Sequence, residues 1–535
     1  MFTMQNCVAE LSFPSRKCYA DPFNDVEMSV VFQSPDGTER NVPAFWAGGT
    51  QWKVRYASSQ VGRHTYRTVC TDPTDAGLHG QTGDVEVTEY DGDNPLYRHG
   101  PLQVSESGRG LEHRDGTPFF WLGDTWWMGL CTRLGWPDEF AQLAADRVEK
   151  GFTVIQIVAG LYPDMGPFDD RGCNEAGFPW EEDWSRIRPA YFDAADRRIA
   201  HLVDQGLAPC IVGCWGYYME FAGKETLRRH WRYLVARWAA YPVVWCAAGE
   251  MLMFWYLHHF DNDKQREQFH EQTRDHWIEV TQYLRDVDPW LRPVTAHPGG
   301  RGSREMLRDD LVDIEMLQTG HGGHASLANT VNQITESVAQ MPTKPVVNGE
   351  VSYEGIGGTC WQDVQRLMFW VGMLCGAAGH TYGANGIWQM STTTHPYGPS
   401  PHGMSWGSTP WKDAAQLAGS RQVGLGAQLL RRYPWWKLEP THDLIKERWT
   451  ADNYYGAYAA TIPGVCHIAY LPNPWGGVTV NLKPGGRYRA RFVNPANGDE
   501  YPLGPVTVSA DGTWSTPAFR PLYHDLVLVI EMNAA

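Results

Sequence analysis

Lys344-Pro345-Val346-Val347-Asn348-Gly349-Glu350-Val351-Ser352-Tyr353-Glu354-Gly355 is the stretch that decides the fold. A short β-branched run leaves a proline-marked entry, reaches a carboxylate and breaks into a polar loop containing glycine, which is how a buried parallel strand ends. Tyr241-Pro242-Val243-Val244-Trp245-Cys246-Ala247-Ala248-Gly249-Glu250 does the same thing earlier in the chain. Two buried strands therefore each deliver one glutamate at the C-terminal end. In a (β/α)8 barrel that end holds the active site, and residues from several strands share it. The expectation is that Glu250 and Glu350 face each other across one site.

Outward from these two strands the same alternation recurs. Further strands are expected at 118–124, 152–158, 207–213, 293–297 and 311–318, with an eighth ending near Tyr382. Helices are expected at 138–150, 191–205, 224–240, 265–286, 328–341 and 361–375, the first with Asp138 and Glu139 in its opening turn after Pro137. Eight strands alternating with helices fit one TIM barrel, placed at 101–432. Residues 1–100 instead alternate at strand spacing between turns such as Pro35-Asp36-Gly37, with Val26, Met28 and Val30 on one face. Residues 433–535 return to that pattern, with turns at Pro484-Gly485-Gly486 and Ala510-Asp511-Gly512. The expected architecture is an α/β chain, a (β/α)8 TIM barrel flanked by an N-terminal β-sandwich and a C-terminal β-sandwich. Trp46, Trp52 and Tyr56 read as core of the first sandwich.

The totals exclude some functions. A net charge of −16 and the lack of a basic tract argue against nucleic acid. The 11 cysteines are odd in number and scattered, several inside apolar runs (Cys210, Cys246, Cys375), so they read as reduced, buried hydrophobes. The start, Met1-Phe2-Thr3-Met4-Gln5-Asn6, has no basic region followed by an apolar core, and no long apolar run occurs later. The expectation is a soluble, cytoplasmic chain that does not engage a membrane, with a homo-oligomer left open.

Two strand-end glutamates in one barrel mouth suit glycosidic bond cleavage. One carboxylic acid protonates the leaving oxygen, and a second carboxylate attacks or stabilises the anomeric carbon. The acid must keep its proton near neutral pH, so its surroundings should be apolar or near another negative charge. Glu250 runs into Met251-Leu252-Met253-Phe254-Trp255, which would desolvate it, whereas Glu350 lies between Asn348 and Ser352-Tyr353, whose donors could hold it ionised. Glu250 is therefore read as acid/base and Glu350 as nucleophile.

Gly123-Asp124-Thr125-Trp126-Trp127, Ala248-Gly249-Glu250 and Asn348-Gly349-Glu350-Val351-Ser352-Tyr353-Glu354-Gly355 together resemble the apiosidase-like glycoside hydrolases. The resemblance is sharpest in the barrel and only architectural in the flanking modules. It implies a catalytic barrel between β domains and hydrolysis of a furanoside or related glycoside. It also implies an acid/base on strand four and a nucleophile on strand seven. Two positions depart from the pattern. Glu250 stands where the family has an aspartate, and Gly249 where the wider retaining-barrel clan usually has an asparagine.

The remaining candidates are substrate contacts. Asp124 at the end of strand one could accept sugar hydroxyls, with Trp126, Trp127, Trp215 and Trp388 as indole platforms. Gln156, Gln318, Tyr353 and Asn385 are further hydroxyl partners. His297 and His321 could bind hydroxyls or orient Glu350. The insertions at 160–186 and 389–412 are expected to wall the pocket. The leading expectation is a retaining exo-glycosidase acting on a small furanose-type glycoside, with no cofactor and no metal. The alternatives are a metal-dependent hydrolase using His297 and His321, and an inactive carbohydrate-binding barrel.

Overall fold

The computed structural model describes residues 1–299, 302–401 and 403–532. Its centre is an eight-stranded parallel barrel: β1 (Trp121–Trp126), β2 (Val154–Val158), β3 (Ala208–Val212), β4 (Val244–Gly249), β5 (Val294–His297), β6 (Glu315–Gln318), β7 (Val346–Glu350) and β8 (Gly379–Tyr382). Ladders join β5-β4-β3-β2-β1-β8-β7-β6 in that order, every pair parallel. The ring closes between β5 and β6, where Asp313 N–H donates to the Val294 carbonyl at 2.8 Å and Thr295 Oγ1 to that of Ile314 at 2.8 Å. Each strand is buried along its whole length. That burial on both faces is why the sequence shows apolar runs and not alternation.

Six helices follow the expected order: α1 (Asp138–Glu149), α2 (Pro189–Asp204), α3 (Tyr218–Trp238), α4 (Asp263–Val287), α5 (Leu327–Ala339) and α6 (Gln362–Leu374); a further helix, α7 (Ala418–Arg431), follows β8 where none was expected. Between β5 and β6 the described residues form only 3-10 turns, Ser303–Glu305 and Asp309–Leu311. The expected strand at 311–318 is accordingly shorter and begins at Glu315. Strand one also begins later than expected. Pro118–Phe119 pairs with Leu111–His113 in a separate three-stranded sheet, and the barrel strand starts at Trp121.

The N-terminal segment forms a five-stranded and a three-stranded sheet whose facing sides share one core. Val26, Met28, Val30, Trp52 and Tyr56 are all buried in it, as the alternation implied. Past the barrel a six-stranded antiparallel sheet and a two-stranded ribbon make the second β module. Both modules are bound to the barrel by buried ion pairs. Arg55 meets Asp196 of α2 at 2.5 Å, and Arg366 of α6 meets Asp525 at 2.7 Å. A buried guanidinium left without its carboxylate would cost about 3–5 kcal/mol, so these pairs pin the modules' orientation. Among the described residues no helix is long and apolar enough to cross a membrane.

Candidate active site

Each of the eight strand ends contributes to one cavity of about 250 Å³ at the C-terminal mouth of the barrel. Glu250 and Glu350 both line it. The two glutamates arrive by matched local structures. Each follows a glycine, and a register shift interrupts pairing just before each: between Cys246 and Gly249 on β4, and opposite Glu350 where β7 meets β6. A side chain at Gly249 would fall 2.3 Å from the Trp215 ring, and one at Gly349 2.4 Å from Met316. Neither position can hold a larger residue without moving its neighbour. This accounts for Gly249 in place of an asparagine: the Trp215 indole occupies the space. Glu250 itself has φ +45°, a left-handed conformation uncommon outside glycine. It is held there by its N–H donating to the His297 carbonyl at 2.7 Å.

The electrostatics of the two carboxylates are opposed. Glu350 is buried, with His321 Nε2 at 2.8 Å from one oxygen and His297 Nε2 at 3.2 Å from the other. The Tyr353 hydroxyl also donates to it through a very short bond. Burial alone would raise its pKa, but the hydrogen bonds and charge of the two histidines outweigh it and hold the carboxyl well below the usual range. Glu250 accepts one hydrogen bond from Trp215 Nε1 at 3.2 Å and another from the Gln318 side chain. Burial first, and the charge of Glu350 second, push its pKa up to about 7. His321 is raised in turn: burial opposes its charge, but the bond to Glu350 prevails.

Ser352 Oγ donates to the Gly320 carbonyl at 2.9 Å and accepts from Gly323 N–H at 3.0 Å, tying the β7 and β6 loops together. That tie carries His321 to Glu350. Tyr353 returns to Glu350 and itself accepts from Trp127 Nε1 at 3.0 Å. Glu354 turns away, taking the Tyr382 hydroxyl at 2.6 Å and the Gly419 N–H at the start of α7 at 3.0 Å.

Of the other expected contacts, Trp127, Trp215, Gln318, His321, Tyr353 and Trp388 line the cavity. Four do not. Asp124 is fully buried on the outward face of β1, where it pairs with Arg147 of α1 at 2.6 Å and accepts from Trp126 Nε1 at 2.7 Å. Trp126 shares that outward face and packs edge-on to Phe140. Strand parity decides this: with Thr125 directed inward, its two neighbours must point out. Gln156 lies inside the barrel and donates to the Gly349 carbonyl at 3.0 Å, so it props the strand under Glu350 and does not touch the cavity. Asn385 is buried against Gly407. His297 lies behind the wall, edge-on to Trp127, with its ring directed at Glu350 and its carbonyl held by the Glu250 N–H.

His297 and His321 thus both direct Nε2 at Glu350. Among the described residues no group of three or more His, Cys, Asp or Glu side chains is placed to hold a metal ion. Sequence reasoning missed Asp164 and Tyr256, which meet across the wall, the Tyr256 hydroxyl donating to Asp164. They come from irregular loops after β2 and β4 and carry no periodic signal. The insertions do contribute to the wall, through Pro163 and Asp164 on one side and Trp406 on the other.

Two opposed carboxylates in an aromatic-walled barrel mouth define a barrel glycosidase. The chain belongs to the apiosidase-like family, whose catalytic-domain model matches residues 105–437. A second model, for a domain of unknown function (DUF5060), matches residues 5–71. Comparison with curated proteins finds no match. Among solved structures, a glycoside hydrolase is 22% identical, with a TM-score of 0.67 over 82% of this chain and 98% of that one. A glycoside hydrolase family 5 protein from Bacteroides vulgatus ATCC 8482 is 23% identical, with a TM-score of 0.66 over 82% and 95%. A provisionally named glycoside hydrolase from the same organism is 17% identical, with a TM-score of 0.72 over 99% and 100%. These likenesses show the fold.

Proposed function

We propose that the protein is a retaining exo-glycosidase acting on a small furanose-type glycoside, with Glu350 as nucleophile and Glu250 as acid/base. The observation that carries this reading is the opposed protonation of two carboxylates lining one small cavity. Glu350 attacks the anomeric carbon while Glu250 gives its proton to the leaving oxygen as the glycosidic C–O bond breaks. A water then attacks that carbon, its proton passes to Glu250, and the bond to Glu350 breaks. The depressed pKa of Glu350 favours this double displacement over inversion. A general base works best with a pKa near the working pH, whereas a weakly basic carboxylate is a good leaving group.

Walls from all eight loops and a cavity of about 250 Å³ support a single-ring, exo-acting site. The furanose preference rests on the family match. Gln318 Oε1, Trp388 Nε1 and His321 Nδ1 are buried and have no hydrogen-bond partner among the described residues. They offer an acceptor, a donor and a ring nitrogen to a hydroxyl-rich ligand. The eleven free cysteines favour a reducing, cytoplasmic setting.

The test is a panel of aryl pyranosides and furanosides in both anomeric configurations, run on wild type and on Glu350→Ala with azide. Rescue of Glu350→Ala that yields a glycosyl azide of inverted configuration is the expected result. A first-formed product of inverted configuration from the wild-type enzyme would defeat the retaining assignment. Near wild-type turnover by Glu350→Ala without azide would defeat the nucleophile assignment.

A further inference from the structure

Six arginines have buried side chains: Arg55, Arg147, Arg198, Arg237, Arg292 and Arg366. Five of them meet a carboxylate at 2.9 Å or closer. Arg292 is the exception. It is 6% exposed, and among the described residues no acidic side chain stands within ion-pair distance of it. Its Nε donates to the Ala239 carbonyl at 2.9 Å. Asp288, the nearest acid in the chain, is occupied by the backbone N–H groups of Trp290 and Arg292 and by the Trp245 indole.

Arg292 opens on a cleft of about 250 Å³ at the start of β4 and β5, the end of the barrel opposite the glutamates, where the N-terminal sheet meets it. Arg40 and Arg114 line the same cleft. Arg40 lies over the Trp290 ring at 5.4 Å and donates to the Pro289 carbonyl at 3.0 Å. Arg114 donates to Gln103 at 3.1 Å. Neither has a carboxylate partner among the described residues. The acid on the lining, Asp36, is exposed at the rim and turned to Thr38. With buried Asp288 behind Arg292 and Asp36 at the rim, three guanidiniums face two carboxylates and the cleft keeps a net positive charge, in a chain whose net charge is −16. Burial lowers Arg292 to about 10; the charge of Asp288 opposes that fall and Arg40 and Arg114 add to it, so a bound anion would favour the charged guanidinium.

We propose that this cleft binds a doubly charged tetrahedral oxyanion, phosphate or sulfate, either free or as a substituent on a sugar. Three guanidiniums lining one cleft suit a dianion, and planar guanidinium forks pair two-to-two with its oxygens. Ser58, Gln60 and Gln103 on the lining can receive the hydroxyls of an attached sugar.

Titration calorimetry of the full chain at low ionic strength tests this with inorganic phosphate, inorganic sulfate, a 6-sulfated hexose and acetate. Saturable binding of the tetrahedral anions, and much weaker acetate binding, is expected. The double variant Arg40→Gln/Arg114→Gln, whose side chains are not in the core, should weaken binding by at least tenfold. This follows from a loss of roughly 1.5–3 kcal/mol for each charged hydrogen bond. Its kcat/KM on aryl glycosides should be unchanged. Arg292→Gln should abolish binding. Equal affinity for the free anions and the sulfated hexose upholds the site with a free anion as its occupant. A sulfated hexose bound more than tenfold tighter upholds it with a sugar. No saturable heat, acetate binding as tight as phosphate, or unaltered affinity in the double variant would overturn the proposal.

Discussion

The ends of β4 and β7 carry the same Gly-Glu pair after the same kind of pairing irregularity, yet deliver carboxylates of opposite character. The difference lies in the neighbours. Glu350 receives two histidines and a tyrosine hydroxyl; Glu250 receives an indole N–H, an amide and the repulsion of Glu350. Backbone geometry places a carboxylate, and the donors around it decide whether it keeps its proton or stays ionised.

If that contrast is functional, the two positions must fail differently. Removing the proposed nucleophile should cost most. Glu350→Ala is expected to lower kcat on the order of 10⁴-fold or more on every substrate, whatever the leaving group. A loss of the same size from Glu250→Gln on all substrates would erase the distinction between them. Glu250→Gln should instead lose roughly 10²–10⁴-fold on poor leaving groups and much less on activated aryl glycosides, which depart without a proton.

The pH profile sharpens the same contrast. Glu250 must hold its proton, a form that prevails below about pH 7 and is lost as pH rises through that value. Glu350 must be ionised, and its lowered pKa keeps it so into acid. The profile of kcat/KM should therefore show an alkaline limb near pH 7 and an acid limb below the usual carboxylate range. Both limbs are properties of the coupled pair. Glu250→Gln should remove the alkaline limb; a limb that persists there would assign it to another group.

The glycine before Glu250 offers a smaller perturbation. Gly249→Ala places a methyl 2.3 Å from the Trp215 ring, so either the indole or the strand end must shift. A displacement of about 1 Å at a reacting group can cost roughly 10²-fold. The expected result is a loss of that order in kcat with the alkaline limb moved, because Trp215 also supplies a hydrogen bond to Glu250. Unchanged kinetics would mean that the indole does not set the position of the acid.

Much of this was legible in the sequence because buried parallel strands announce themselves as β-branched runs that break at a polar residue. Glu250 and Glu350 stand at such breaks. Asp124 and Trp126 misled for the same reason. A strand buried on both faces shows no alternation, so Gly123-Asp124-Thr125-Trp126 does not reveal which residues point inward. Only Arg147, placed behind the strand by α1, decides it. Asp164 and Tyr256 were hidden because their contact joins two irregular loops 92 residues apart. Gly249 was visible as a departure, but its cause, the Trp215 ring, lies on another strand's loop.

His321 gives the finest test of why the two glutamates differ. It donates to Glu350 at 2.8 Å and is the more exposed of the two histidines, at 27% against 1% for His297. Its replacement should therefore disturb packing least. In His321→Ala, Glu350 keeps Tyr353 and His297, so it should still attack, with a loss of about tenfold at the pH optimum. Its pKa should rise, because a donor that favoured the charged form has gone. The acid limb of kcat/KM then moves to higher pH while the alkaline limb near 7 stays with Glu250, and the active window narrows from the acid side alone. Movement of the alkaline limb without the acid one would show that His321 serves Glu250, and the account of how these carboxylates are told apart would have to be reversed.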